Sequence, residues 1–484
     1  MVILSVIAAY FVLLLLVAWL TGKRGSHDVD FFTGSRRSPW YVVSVGMIGS
    51  SLSGVSFVSV PGWVGQTDMT YMQMVAGFFF GYVLIAKILL PLYYRLKLVS
   101  VYTYLEGRIG RSGYKTGASF FILSKMTGAA ARFYLAVLIL QTYVFDRWGI
   151  PFGATAALGV FLMWLYTCRS GVKTVVWTDT LQTVCFVGMT VAIIWQTADW
   201  LGLDMGGTVQ AITESPHFRI FEFGDWNSSQ HFVKQFLSGV FITVAMTGLD
   251  QDMMQKNLSC RNLKEARRNM YAYGLAFTPV NFMLLCLGIL LTVAARQMHV
   301  ELPASGDDIL PAFCTSGLPG SPVLILFSVG IIAAAFSSAD SALTALTASF
   351  CIDILDTGRK EAARARRTRM KVHLLMSAAF LLTVTAFRAI NSQSVIDAVY
   401  RMASYTYGPL LGLFAFGLFT KRMPEDRFVL PVCILAPAAC LMTEYIVSSS
   451  GSYRFGYEIL MLNGAFTFAG LLICSSKPPA GSNI

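Results

Sequence analysis

Residues 323–355 hold oxygen-bearing side chains inside an apolar run: Ser337, Ser338, Asp340 and Ser341, then Thr344 and Thr347. The run is long and apolar enough to cross a bilayer as a helix. At about 100° per residue, Ser337, Asp340, Ser341 and Thr344 fall on one stripe with Ser338 beside it. A carboxylate in mid-membrane costs about 2.5–3.5 kcal/mol on insertion scales, so Asp340 is expected to face protein, water or an ion. Hydroxyls and a carboxylate converging in a dry place are hard oxygen ligands of the kind an alkali cation accepts. Serines that merely pack helices together are the plainer reading of Ser337-Ser338 alone. The aspartate one turn on favours the ion.

Other polar residues fall within apolar spans. Gly46-Met47-Ile48-Gly49-Ser50-Ser51-Leu52-Ser53-Gly54, followed by Pro61-Gly62, interrupts one span, and Thr247-Gly248-Leu249-Asp250-Gln251 interrupts another five spans later. Breaks in corresponding spans of two halves point to an inverted-repeat transporter with its site at mid-membrane. Arg132 sits near mid-depth in its span, and a guanidinium is the natural bidentate partner of a carboxylate. If it faces a cavity, the solute is an anion; the rival reading is a structural pair with Asp340 or Asp179. Ser53, Ser56, Gln73, Trp63, Asn281, Asp250 and Gln251 are further cavity candidates by position. Lys125, nearer a membrane surface, is expected to snorkel.

The elements that must carry these residues follow from composition. The chain has 484 residues, 55% hydrophobic and only 13% charged, too little polar surface to cover a soluble domain. Apolar spans are expected at 2–20, 41–66, 71–94, 116–145, 151–168, 173–198, 232–255, 270–295, 322–355, 372–388, 395–420, 428–448 and 457–475, about 13 in all. The net charge of +11 comes from Lys and Arg in short loops, which argues for membrane orientation rather than nucleic-acid binding. Alternate loops carry about five times as many basic residues as the rest, placing the N-terminus outside and the C-terminus inside. The first span lacks a basic n-region and a cleavage site, so a helix rather than a signal peptide is expected. A short helix is expected within the outside loop 205–231 and an amphipathic one at Asn262–Met270. Scattered cysteines argue against a disulfide framework or a zinc site.

Four stretches in order resemble the sodium:solute symporter family, whose members include sodium/sugar, sodium/proline and sodium/sialic acid cotransporters. They are Asp30-Phe31-Phe32-Thr33-Gly34-Ser35-Arg36-Arg37-Ser38-Pro39-Trp40, Trp177-Thr178-Asp179-Thr180-Leu181-Gln182-Thr183, Asp250 to Leu258 running on to Ala266, and the serine helix. The resemblance implies an all-α, LeuT-type five-plus-five inverted-repeat core in residues 41–420. Its parts are an N-terminal helix and loop (1–40), a first repeat (41–200), an outside loop (201–231), a second repeat (232–420) and two last helices (421–484). It implies one or two sodium ions, one bound by the carbonyls of Gly49, Leu52 and Ala334 and the hydroxyls of Ser337 and Ser338. Relatives often carry alanine at the Gly49 position, and a carbonyl ligand is indifferent to that change. Asp179 matches a family acid and, with Asp340 and Ser341, forms a candidate second cation site; Asp340 itself departs from the small or hydroxyl residue usual there.

The expected function is sodium-coupled import of a small polar organic solute (sugar, amino acid, sialic acid or other organic acid) by alternating access, not an enzyme's. Proton coupling is the alternative within that class; a transporter-like receptor or an ion channel is the alternative outside it. The expected partners are the solute and the bilayer, with no nucleic acid, in a multi-pass, bacterial inner-membrane setting as a monomer or weak homo-oligomer.

Overall fold

The protein's structure, a computed structural model, describes residues 2–21, 36–167, 172–316, 320–357, 362–389, 395–449, 451, 453 and 455–476. The first part of the Asp30 motif and the loop residues Lys23, Arg24, Arg169, Arg359, Lys360, Arg454 and Lys477 lie outside them.

The chain is a bundle of helices. After α1 (Val2–Thr21) come α2 (Trp40–Ser51) and α3 (Gly54–Thr67), two halves of one span bent by 62°. Then follow α4 (Tyr71–Arg95), α5 (Arg111–Leu140), α6 (Phe152–Thr167) and α7 (Val172–Trp200). A short surface helix, α8 (Met205–Thr213), leads to a second bent span, α9 (Phe232–Gly248) and α10 (Gln251–Asn257), broken by 71°. Next are α11 (Leu263–Met298), the short α12 (Gly306–Thr315), α13 (Ser321–Ser349) and α14 (Ala362–Phe387). A third bent span, α15 (Val395–Thr406) and α16 (Gly408–Phe419), turns by 42° and precedes α17 (Asp426–Ser449) and α18 (Ile459–Ile473).

Each break has a local cause. At Leu52 and Ser53 the backbone goes extended (φ −82°, ψ 104° and φ −98°, ψ 171°), so the carbonyls of the last turn of α2 lose their helical donors. At the second break Asp250 caps α10, its carboxylate accepting from the backbone N–H of Asp252 at 2.9 Å and Met253 at 3.2 Å. The third falls at Tyr407-Gly408-Pro409, where a proline at the start of α16 supplies no N–H to the preceding turn.

Two expectations change. The segment Asn262–Met270 is the first part of the 36-residue α11 rather than a separate peripheral helix; Asn262 caps it through Glu265 N at 2.9 Å. Lys125 does not snorkel, because its ammonium is held inside the bundle by acids described below.

Helix α13 is the axis of the packing: over Phe327–Leu346 nearly every residue is buried, polar ones included. It lies against α2, α5, α6, α7, α10 and α14. Helices α4 and α9 approach through glycine. A Cβ on Gly77 or on Gly239 would come within 2.2 Å of the facing backbone carbonyl of Phe236 or Met74, so only hydrogen at both positions allows this contact. On the side of the bundle carrying loop 201–231, Asp307 joins three elements by accepting from the hydroxyl of Ser59 and, at 2.8 Å, from Val395 N. Burial raises its carboxyl above the ordinary carboxylate range, against the lowering effect of those donors.

Candidate functional site

The broken α2 packs against the serine helix, and Gly49 stands at that contact. A Cβ on Gly49 would lie 3.2 Å from Ser337 Oγ and 3.0 Å from the carbonyl of Asp179. Ser338 Oγ reaches the carbonyls of Ala334 at 3.4 Å and Ala335 at 3.1 Å. Gly49, Leu52, Ala334, Ser337 and Ser338 are all buried, and of these Gly49 and Ser337 face one another across the two helices.

Asp179 closes that place from α7. It is fully buried, accepting from Ser337 Oγ at 2.7 Å and Ser50 Oγ at 2.9 Å. Its base is Lys256 on α10, whose Nζ lies 2.8 Å away. The same ammonium is 3.4 Å from Asp252, and Ser341 Oγ donates to Asp252 at 2.8 Å. Lys125 of α5 continues the series, 2.8 Å from Asp252 and 3.2 Å from Asp250. Tyr407 Oη ends it by donating to Asp250 at 2.6 Å. Acid and base thus alternate as Asp179, Lys256, Asp252, Lys125, Asp250 across the bundle. Burying such charges is tolerable only because each has a partner and further hydrogen bonds.

The far end of this series opens on a cavity of about 90 Å³. Arg132, Lys125, Asp250, Ser50 and Ser124 are among its polar residues, with hydroxyls such as Ser51, Thr243 and Thr247; Phe78, Met246, Phe277 and Val399 are among its apolar ones. Arg132 is half-buried there and makes no hydrogen bond or ion pair among the described residues, so neither pairing with Asp340 nor pairing with Asp179 occurs. Helix α15 covers the cavity, tied across it where Tyr400 Oη meets Tyr71 Oη of α4 at 3.1 Å.

Several candidates lie elsewhere. Gln73 is turned to the outer loop, bonding Gln230 O at 2.9 Å and Glu222 N at 3.0 Å. Gln251 holds a backbone segment, through Val101 N and Val99 O at 2.9 Å each. Ser53 and Ser56 flank the break of α2 and α3 but do not line the cavity. Asn281 bonds its own helix at Phe277 O, 2.9 Å away, and Trp63 lines a separate outer pocket. Asp179, Asp340 and Ser341 each have a protein partner of their own: Asp179 pairs with Lys256, Ser341 donates to Asp252, and Asp340 accepts from Tyr166 Oη at 2.7 Å. Lys256 and Asp252 were hidden by the basic loop beside them, although their four-residue spacing on a short helix is the signal of a paired face.

Comparison with known proteins agrees with this architecture. Residues 31–426 match the Sodium:solute symporter family. The chain is 25% identical over 454 residues to the sodium/sialic acid symporter SiaT of Proteus mirabilis, covering 91% of this chain and 89% of that one. It is 26% identical over 427 residues to the human sodium/iodide cotransporter, covering 84% of this chain and 65% of that one. The solved structure of a Na+-coupled sialic acid symporter, substrate-bound and outward-open, superposes with a TM-score of 0.83 at 22% identity, covering 99% of both chains. The chain has that LeuT-like fold and belongs to the sodium:solute symporter family, as a sodium-coupled solute symporter of the membrane.

Proposed function

We propose that this symporter carries a small organic anion with a carboxylate, held by Arg132, and draws on sodium bound between the break of α2 and the serine helix. The observation that carries the reading is the guanidinium of Arg132, half-buried on the cavity wall with no acid paired to it. Every other buried cation around the cavity is matched by an acid, so an incoming carboxylate is the group that completes Arg132. Sialic acid and iodide, named for two of the relatives, are both anions. The apolar residues opposite suit a hydrocarbon body behind the carboxylate.

The sodium ligands in this reading are the carbonyls of Gly49, Leu52 and Ala334 and the hydroxyls of Ser337 and Ser338. Sodium between them bridges α2 to α13 and fixes the wall that includes Ser50, so ion binding favours a formed cavity. Repeats at 41–200 and 232–420, thirteen crossings and an outside N-terminus belong to the same reading; impermeant labelling of a cysteine at Ser228 in intact cells tests the last.

Uptake into proteoliposomes under an inward sodium gradient, with a panel of sialic acid, monocarboxylates, amino acids, iodide and neutral sugars, is the deciding experiment. Carboxylates are expected to accumulate, and Arg132→Ala to raise KM by about two orders of magnitude. Preferred uptake of a neutral sugar, indifferent to Arg132→Ala, would refute it.

A further inference from the structure

Helices α4 and α9 close on Gly77 and Gly239, and a second pair closes in the same way. A Cβ on Gly412 of α16 would lie 2.7 Å from the carbonyl oxygen of Gly464 on α18. Asn463 of α18 also holds α15, bonding Ser404 O at 3.0 Å and Tyr405 O at 2.9 Å. Between the two pairs, large side chains keep the backbones apart and leave a groove of about 590 Å³. Its lining is Leu, Ile, Val, Met, Phe, Ala and Gly throughout, from α4, α9, α16 and α18 together with Leu249 at the second break. Leu84, Ile88, Phe241 and Phe419 on its walls are exposed. The groove therefore opens on the outer face of the bundle, where this membrane protein meets lipid.

Two observations choose its occupant. Helices that associate within a bilayer do so through small residues that let their backbones approach. Here Ala415, Gly464 and Ala465 are outnumbered by Leu, Ile and Phe, which suits a slender, adaptable chain rather than a partner helix. The second observation is charge. Leu84, Lys87 and Ile88 are exposed at i, i+3 and i+4 of α4, on one face. Lys421 and Arg422, also exposed, follow Phe419 at the end of α16. Both helices run away from loop 201–231: Gln73 in the first turn of α4 holds that loop, and Asp307 on the same side holds the start of α15, which leads into α16. The three cations thus stand toward one end of the groove. None of them makes an ion pair among the described residues, and the nearby acid Glu425 is taken by Arg427 at 2.8 Å. An apolar groove with a basic end matches an anionic lipid.

We propose that this groove binds an acyl chain of an anionic phospholipid, with the lipid phosphate at Lys87, Lys421 and Arg422. The chain lies against Leu249 at the second break and against α16, the continuation of the helix that covers the cavity. A bound lipid therefore braces two of the three bent spans from outside the bundle. The proposal rests on the membrane setting, not on Arg132, the sodium site or the identity of the solute.

Native mass spectrometry of the purified full chain in detergent tests it, with phosphatidylglycerol or phosphatidylcholine added at equal concentration. One phosphatidylglycerol per chain is expected to stay bound and to raise the melting temperature, with phosphatidylcholine retained far less. Lys87→Gln together with Lys421→Gln should weaken retention about 25-fold, about fivefold per cation. Ala465→Phe fills the groove from α18 and Ala415→Leu fills it from α16, so a folding defect in one leaves the other to decide. Each should melt like the lipid-free natural protein and lose the lipid. Phosphatidylglycerol carrying a diazirine on its acyl chain should label α16 and α18 in the natural protein and label them much less in Ala465→Phe. Unchanged retention in the groove-filled variants overturns the proposal, and so does label spread evenly over all lipid-facing helices, the mark of bulk lipid. Equal retention of phosphatidylcholine, or undiminished retention of phosphatidylglycerol by the lysine variant, overturns it at its charged end. A disulfide between chains of Ala465→Cys in vesicles would make the groove a contact between two copies and overturn it as well.

Discussion

Lys256 Nζ lies 2.8 Å from Asp179 Oδ2, and Asp179 accepts in turn from Ser337. A cation on the short helix after the second break is thereby joined, through one carboxylate, to a hydroxyl in the proposed sodium site. Through Asp252 and Lys125 the same series reaches Asp250 at the cavity wall. The cavity and the proposed ion site are thus two ends of one set of buried charges. If the proposed site is right, a shift of α10 or α5 on substrate binding alters the field at Asp179 and so links solute to ion.

Removing one member should leave its partners uncompensated. Lys256→Met strips both Asp179 and Asp252 of a base, a change expected to cost about 3–5 kcal/mol in a buried setting. Thermal unfolding in detergent should show the loss, and Lys256→Met with Asp179→Asn should recover a large part of it. Strictly additive effects of the two substitutions would mean that the pair is not energetically linked.

Gly49 offers a steric test of how closely α2 and α7 approach. A methyl there would sit 2.2 Å from Thr183 Oγ1, an atom held by Val45 O at 2.9 Å and Asp179 O at 2.7 Å. Gly49→Ala should therefore destabilise the protein by about 1–3 kcal/mol and raise the sodium needed for half-maximal uptake. Adding Thr183→Ser, which can rotate its hydroxyl away, should restore most of both. A harmless Gly49→Ala would show that the two helices stand further apart.

The residues that break helices were legible because glycine, serine and proline act locally: 46–54 and 247–251 mark bends without reference to anything distant. The serine helix was legible for a related reason, since hydroxyls and an acid in an apolar run have few tolerable surroundings. What stayed hidden depends on partners far along the chain. Lys125 and Lys256 resemble loop cations until Asp250, Asp252 and Asp179 are folded against them. Gln73 and Gln251 resemble cavity amides until the loops that they hold are placed. The bend at Tyr407-Gly408-Pro409 was signalled by its Gly-Pro step, but an apolar run of normal length concealed it.

Asp307 makes a pH-dependent prediction on the outer side of the bundle. Burial raises its carboxyl in the folded protein, so its contribution to stability is full below the ordinary carboxylate value, about 3.9, and falls as pH rises through the raised one. Asp307→Asn cannot ionise, yet it still offers an oxygen to Val395 N and an N–H to Ser59. The melting temperature of Asp307→Asn relative to the natural protein should therefore climb from acid toward neutral pH. A difference that shrinks over that range would show that the ionised carboxylate is the stabilising form.

Ser337 and Ser338 should separate ion binding from stability. Ser337 Oγ spends its proton on Asp179 at 2.7 Å, which leaves its lone pairs for a cation. Ser338 Oγ donates only to carbonyls of its own helix, at 3.1 and 3.4 Å. Ser337→Ala thus removes a proposed ion ligand and a hydrogen bond to a buried carboxylate, the second alone worth about 1.5–3 kcal/mol. Ser338→Ala removes a proposed ion ligand and a bond whose loss leaves the helix intact. Both variants should need about tenfold more sodium for half-maximal uptake, consistent with about 1.4 kcal/mol per lost ligand. Only Ser337→Ala should melt lower in sodium-free choline buffer. Equal melting of both variants without sodium would mean that Asp179 draws no stability from Ser337. Unchanged sodium dependence in both, with normal insertion, would remove the pair from the ion site.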